Sequence, residues 1–193
     1  MALHNDVFKQ QIWEWFCNDI DSCFKVSQDL QTKRERSVFK GGLNFPAALT
    51  TFSIIELMAG YHAGREPTYT DIAEFVSRYV GKYCPKLADK NVAKRWYDVF
   101  RHGLSHQWSP KRGGVAMRFD VPDVLAFWSP GGTEKFPYLN VPSLFRCLKE
   151  ALRDYEADLD SDAELQEKFK RRYERLFSDD GEAMEALRRL CGE

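Results

Sequence analysis

Asn44-Phe45-Pro46-Ala47-Ala48-Leu49-Thr50-Thr51-Phe52-Ser53-Ile54-Ile55-Glu56-Leu57-Met58-Ala59-Gly60-Tyr61 is the stretch that decides the fold. Pro46 sits in what reads as a first helical turn, where a missing N–H costs nothing. From Ala47 to Tyr61 apolar residues point in nearly every direction around a 3.6-residue helix. A helix without a wet face belongs in the middle of a helical assembly. Glu56 interrupts it. A carboxylate there has to be paired, hydrogen-bonded or neutral, because a bare buried charge is very costly. It serves either as half of a structural ion pair with an arginine or as the orienter of a site residue.

Upstream, Phe8, Ile12, Phe16, Ile20 and Phe24 recur every four residues, with Trp13 and Trp15 widening the stripe. This predicts a long amphipathic helix from about Asn5 to Gln31, capped by Asn5 or Asp6. Thr32 to Lys40 is basic, and Gly41-Gly42 breaks the chain. That run reads as a solvated loop or as a phosphate-contacting arm.

Downstream, Gly60, Gly64 and Pro67 mark a loop. A helix follows from about Thr70 to Lys82, with Ile72, Phe75, Val76 and Tyr79 inward. Asp71 with Glu74, or Thr68 with Asp71, supplies a capping box. Cys84-Pro85 stops it. Another helix begins near Asp89, with Val92, Trp96, Val99 and Phe100 as its stripe. After Pro110 the period changes to two, with Val115, Met117 and Phe119 alternating with Ala116 and Arg118. With the turn-like Asp120-Val121-Pro122-Asp123 and the β-prone Val124 to Trp128, this predicts a short β-hairpin, ended by Pro130-Gly131-Gly132. Helix returns from Val141 to Leu159, opened by Asn140 and Pro142, with Leu144, Phe145, Leu148 and Leu152 inward. Ser161 and Glu164 suggest a capping box for a helix reaching Phe177, and a short one spans Asp180 to Cys191. The expectation is a mainly all-α single domain over residues 1–193. It is an up-and-down helical bundle with a core of about 5–160, a β-hairpin insertion and a C-terminal helical extension of about 161–193.

The 193 residues are 44% hydrophobic and 30% charged, with a formal net charge of -1, which describes an ordinary globular chain with no global pull toward nucleic acid or membrane. The near-zero balance hides a basic segment. From Lys90 to Arg118 the chain carries Lys90, Lys94, Arg95, Arg101, Lys111, Arg112 and Arg118 against Asp98 alone. The five cysteines are scattered without a Cys-x-x-Cys, as expected for small buried hydrophobes in a reducing compartment. The N-terminus lacks a signal-peptide pattern and no apolar run has membrane-spanning length, so a cytoplasmic protein is expected.

Chemistry concentrates in Arg101-His102-Gly103-Leu104-Ser105-His106, which closes the aromatic run Trp96-Tyr97-Asp98-Val99-Phe100. Histidine titrates near neutrality and can act as base or acid, and the arginine fork matches phosphate oxygens. The plain structural alternative is a helix end, where His102 and His106, four apart, cap and pack under the macrodipole. On an ideal helix Arg101 and His106 lie about 140° apart. A site using both then needs a helix that ends near Ser105, or a second chain. No Gly-rich phosphate loop, Ser/His/Asp set or metal quartet competes.

The hexapeptide resembles the signature of the HEPN superfamily: arginine, a polar residue, three others, then histidine. The helical context and a Glu-bearing earlier helix agree with that likeness. The resemblance implies a homodimer in which two copies of this helix face each other and two Arg/His sets share one cleft. It further implies a metal-independent endoribonuclease, a toxin or defence effector, with RNA as substrate, no cofactor and no metal. Carried over, Arg101 and His106 take the signature positions and His102 the polar one. Glu56, Ser105 and Trp108 support them, and Lys94, Arg95, Lys111 and Arg112 contact RNA phosphates. Some members carry His-x-Tyr, with the tyrosine modified by a partner antitoxin; here that position is Trp108, which has no hydroxyl. The alternative is a non-catalytic module that binds RNA, a nucleotide or a protein partner through the same cleft. A weaker third reading is a purely structural helical domain.

Overall fold

The computed structural model describes residues 3–32, 43–104, 113–128, 135–177, 185 and 188–190. It is mainly helical with one small sheet. Helix α1 runs without a break through Leu3–Val7, Phe8–Cys17 and Asn18–Thr32. Its middle part is wound with the wider i→i+5 pattern. That winding moves the inward position from four residues ahead to five. Cys17, five after Ile12, is buried, whereas Phe16 is only partly so. Trp15 does not widen the stripe as expected. It is 53% exposed, while Trp13 packs against the core and donates its indole N–H to Glu156 at 3.2 Å.

Helix α2 (Asn44–Ala63) is the predicted central helix. Ala47, Ala48, Phe52, Ile54, Ile55, Met58, Ala59 and Tyr61 are all buried on it. Each large side chain so covered contributes roughly 1.5–3 kcal/mol. Gly60 lies inside the helix, and the loop starts only at Gly64. Gly64 has φ 70° and closes α2 with a left-handed cap, its N–H on the Gly60 carbonyl at 2.8 Å. Helix α3 joins Tyr69–Phe75, Val76–Val80 and Gly81–Tyr83. Of the two capping boxes expected, Thr68 with Asp71 forms. A tight turn, Pro85–Leu87, leads to α4. Helix α4 comprises Lys90–Tyr97 and Asp98–His102 and stays helical through 104. Asp89 caps it by accepting from the Asn91 and Val92 N–H groups.

The strands are β1 (Gly114–Ala116), β2 (Leu125–Trp128) and β3 (Phe136–Asn140), in the order β1-β3-β2. A short β insertion is therefore present, but the two segments expected to pair with each other do not. β3 lies between them, parallel to β1 (Val115↔Leu139) and antiparallel to β2 (Leu125↔Leu139). The reason lies in Asn140, which is fully buried. Its amide donates to the carbonyls of Arg118 and Val121, both at 2.9 Å, and its oxygen accepts the Arg118 N–H at 2.9 Å. Ser143 Oγ adds a donor to the Val121 carbonyl at 2.7 Å. Backbone groups that a hairpin turn would use locally are thus consumed by the end of β3 and the helix that follows. Pro137, unexpected within a strand, lies beyond the reach of β1, whose register covers only 138–140.

Helix α5 (Val141–Ser161) buries Leu144, Phe145, Leu148 and Leu152 as predicted, together with Tyr155 and Leu159. Helix α6 (Ala163–Phe177) is capped by Asp162, which accepts from the Glu164 and Leu165 N–H groups. Ser161 is not the cap; it ends α5, with its hydroxyl on the Asp158 carbonyl at 3.3 Å. Phe169 of α6 stacks on Tyr61 of α2 at 4.1 Å, and Arg171 Nε donates to the Gly64 carbonyl at 2.9 Å. The expected last helix and the basic run before Gly41 fall mostly outside the described residues. Among the described residues no helix is long and apolar enough to cross a membrane.

Candidate functional site

Aromatic packing sets the register between α2 and α4. The Phe52 ring lies 5.0 Å from the Trp96 ring and 6.0 Å from the Tyr97 ring. One turn further along α2 stands Glu56, and one turn beyond Tyr97 stands Arg101. The carboxylate therefore meets both. Tyr97 donates its hydroxyl to Glu56 Oε1 at 2.6 Å. Arg101 donates through Nε to the same oxygen and through Nη2 to Oε2 at 3.3 Å. This is the two-pronged fork that arginine makes with carboxylates. The Arg101 and Glu56 side chains are 23% and 27% exposed, so the pair is partly buried and still reached by water.

The electrostatics follow from that position. Burial pushes the Tyr97 phenol up, and its hydrogen bond to Glu56 raises it further, so the hydroxyl remains a proton donor across the biological range. Burial works against the Arg101 charge, yet the hydrogen bonds and charge of Glu56 outweigh it and hold the guanidinium above its ordinary value.

His102 joins from α4. Its Nδ1 shares a 3.3 Å hydrogen bond with the Tyr69 hydroxyl at the start of α3, and the Tyr69 ring stands edge-on to Tyr97 at 5.5 Å. Tyr69 is placed by the capping box that precedes it, where Arg65 also reaches Asp71 at 2.8 Å. The winding of α4 matters here. Asp98–His102 follows the wider i→i+5 pattern, which brings residues five apart toward one face. Tyr97 and His102 are five apart, and Tyr69 touches both. The ideal-helix angle between Arg101 and His106 takes no account of this widened turn.

Of the residues singled out by sequence, Glu56 and Arg101 meet directly, and His102 is linked to them through Tyr69 and Tyr97. Lys94 and Arg95 are exposed on α4, and Arg95 borders a groove facing the sheet rather than the Glu56 cluster. Ser105, His106, Trp108, Lys111 and Arg112 lie outside the described residues. Two contributors were missed. Tyr97 stands four before Arg101, and that spacing was the available signal. Tyr69 lies 33 residues from His102 and has no local signature.

The remaining candidates are structural. The His62 ring lies 5.8 Å from Tyr79 and 6.1 Å from Tyr155, and burial lowers its pKa. Burial pushes the Cys17 thiol up to about 12 and the Cys147 thiol up to about 11, which leaves both poor nucleophiles near neutrality.

Compared with family models, with curated proteins and with solved structures, the chain finds no match.

Proposed function

We propose that the chain is a metal-independent endoribonuclease of the HEPN type, acting as a homodimer on RNA. The observation that supports this reading is the Arg101 guanidinium held by Glu56, with Glu56 held by Tyr97 and His102 tethered to Tyr69 alongside. Cleavage of this class needs a base for the 2′-hydroxyl, an acid for the departing 5′-oxygen and a cation for charge on phosphorus. His106 takes one proton role and His102 the second, or the positioning of the first. Arg101 meets the phosphate with its positive charge, the plane of its guanidinium held in place by Glu56. In this reading Glu56 and Tyr97 are positioning residues. Lys94, Lys111 and Arg112 supply salt-sensitive backbone attraction. A toxin or defence role, restrained by an antitoxin or another protein partner, fits such an activity.

The test is incubation of the purified protein with RNA in EDTA. Products ending in 2′,3′-cyclic phosphate are expected. Cleavage no greater than that of folded Arg101→Ala and His106→Ala variants would refute the proposal.

A second reading is favoured by one observation. Arg101 is already engaged by a carboxylate of its own chain, which weakens its pull on a phosphate. A non-catalytic module would then bind RNA or nucleotide with salt-dependent affinity and no turnover.

A further inference from the structure

Tyr69 opens α3 beside the Arg101 cluster and is held there at three points. Thr68 caps the helix, and its box with Asp71 fixes the backbone from which Tyr69 projects. The Tyr69 ring stands at 77° to the buried Tyr97 ring, 5.5 Å away. Its hydroxyl shares the 3.3 Å hydrogen bond with His102 Nδ1. The side chain is nonetheless 45% exposed, so a large aromatic is kept open to water in one orientation. The hydroxyl lies in the ring plane, and the His102 bond therefore uses an edge. Two rings so close to perpendicular meet edge to face, and Tyr97 covers at most one face of Tyr69. Among the described residues Tyr97 is the one aromatic ring packed against it, which leaves the other face to solvent. The neighbouring charge is cationic. Tyr69 lies near enough to Arg101 to act on its guanidinium, and Tyr97 and Arg101 meet on the same Glu56 oxygen. Lys94, three before Tyr97, is exposed on the same face of α4.

We infer that Tyr69 is the platform on which one unpaired base of the RNA stacks, next to the phosphate that Arg101 meets, a role that rests on the reading of this site as one that takes RNA. A base and an aromatic ring attract through their faces, and a base inside a duplex has both faces covered by its neighbours. Duplex RNA has to open before it can use Tyr69, and that cost makes the site select single strands. Every base has such a face, so the platform reads no sequence beyond a modest preference for the larger purine ring.

The experiment measures binding to the full chain by fluorescence anisotropy, using a short labelled RNA methylated on every 2′-oxygen so that it cannot be cleaved. The single strand should bind about tenfold or more tighter than its duplex. Tyr69→Leu keeps an apolar side chain but removes the ring, and should weaken single-strand binding about tenfold while leaving duplex binding unchanged. Tyr69→Phe keeps the ring, loses only the bond to His102, and should bind as the wild type does. A 5-iodouridine in the strand should photocrosslink at this position in the wild type and in Tyr69→Phe. Thermal melts check that both variants fold. No binding, equal binding of single strand and duplex, wild-type binding by Tyr69→Leu, or equal weakening by both substitutions would overturn the inference. Unmodified RNA separates it from the catalytic reading. Cleavage with KM unmoved in Tyr69→Leu removes the platform and leaves the nuclease, whereas Tyr69-dependent binding without cleavage removes the nuclease and leaves the platform.

Discussion

Replacing Glu56 with alanine tests how the site is held. In the native chain the carboxylate accepts the Tyr97 hydroxyl at 2.6 Å and two nitrogens of Arg101. Tyr97 is only 7% exposed, so its hydroxyl loses a charged acceptor and gains little water. A hydrogen bond to a charged group is worth about 1.5–3 kcal/mol. The Arg101 contribution is smaller, because at 23% exposure water partly replaces the lost partner. Glu56→Ala should therefore lower stability by about 2–3 kcal/mol, with Tyr97→Phe alone lowering it by about 1–2 kcal/mol. For a chain of this length that is roughly 4–12 °C in melting temperature for the first substitution. The two residues share one bond, so the double variant should fall short of the sum by about 1 kcal/mol. Urea unfolding of the four proteins measures all three quantities. A loss below about 0.5 kcal/mol for Glu56→Ala, or strict additivity, would refute the account. For the proposed activity, Glu56→Gln should also lower cleavage about tenfold or more while the helical signal persists, since the Arg101 guanidinium loses the carboxylate that fixes its plane.

Two further expectations follow from buried groups. Asn140→Ala removes the side-chain partner of the Arg118 N–H and carbonyl and leaves the Val121 carbonyl with Ser143 alone, and should cost about 2–4 kcal/mol in urea unfolding. Asn140→Asp, which keeps the shape but cannot donate to those carbonyls, should be comparably harmful, and a wild-type midpoint would count against the network. Burial raises the Tyr61 phenol to about 12 and also raises those of Tyr79, Tyr97 and Tyr155. Folded values above the unfolded one of about 10 mean that their contribution is complete below that pH and is lost as pH climbs through the folded values. The urea midpoint should fall steadily above about pH 10, and a flat profile to pH 11 would contradict this.

Much of the helical framework is legible in the sequence because its signals are local. The all-round apolarity from Ala47 to Tyr61, the helix start near Asp89 and the Thr68/Asp71 box, one of the two offered, act within a few residues, and the structure has all three. The departures are instructive. Trp15 faces water and Cys17 faces the core because a widened turn in α1 shifts the inward step, and no residue type announces that winding. Asp162 displaces Ser161 as the α6 cap because α5 runs two residues past Leu159, through Ser161 itself. The candidate site shows the same division. The motif Arg101–His106 is a sequence feature, and so is the oddity of a glutamate within the central helix.

By itself the sequence therefore determined which segments are helical, which helix is central, and that Glu56 needed a partner. Only the tertiary structure decided that the partner is Arg101 together with Tyr97, that Tyr69 reaches His102, and that β3 inserts between the two strands the sequence would have paired. The physical reason is separation along the chain. Caps and stripes depend on residues three to five apart. Glu56 and Arg101 are 45 residues apart, and they meet because Phe52, Trp96 and Tyr97 pack where α2 and α4 meet.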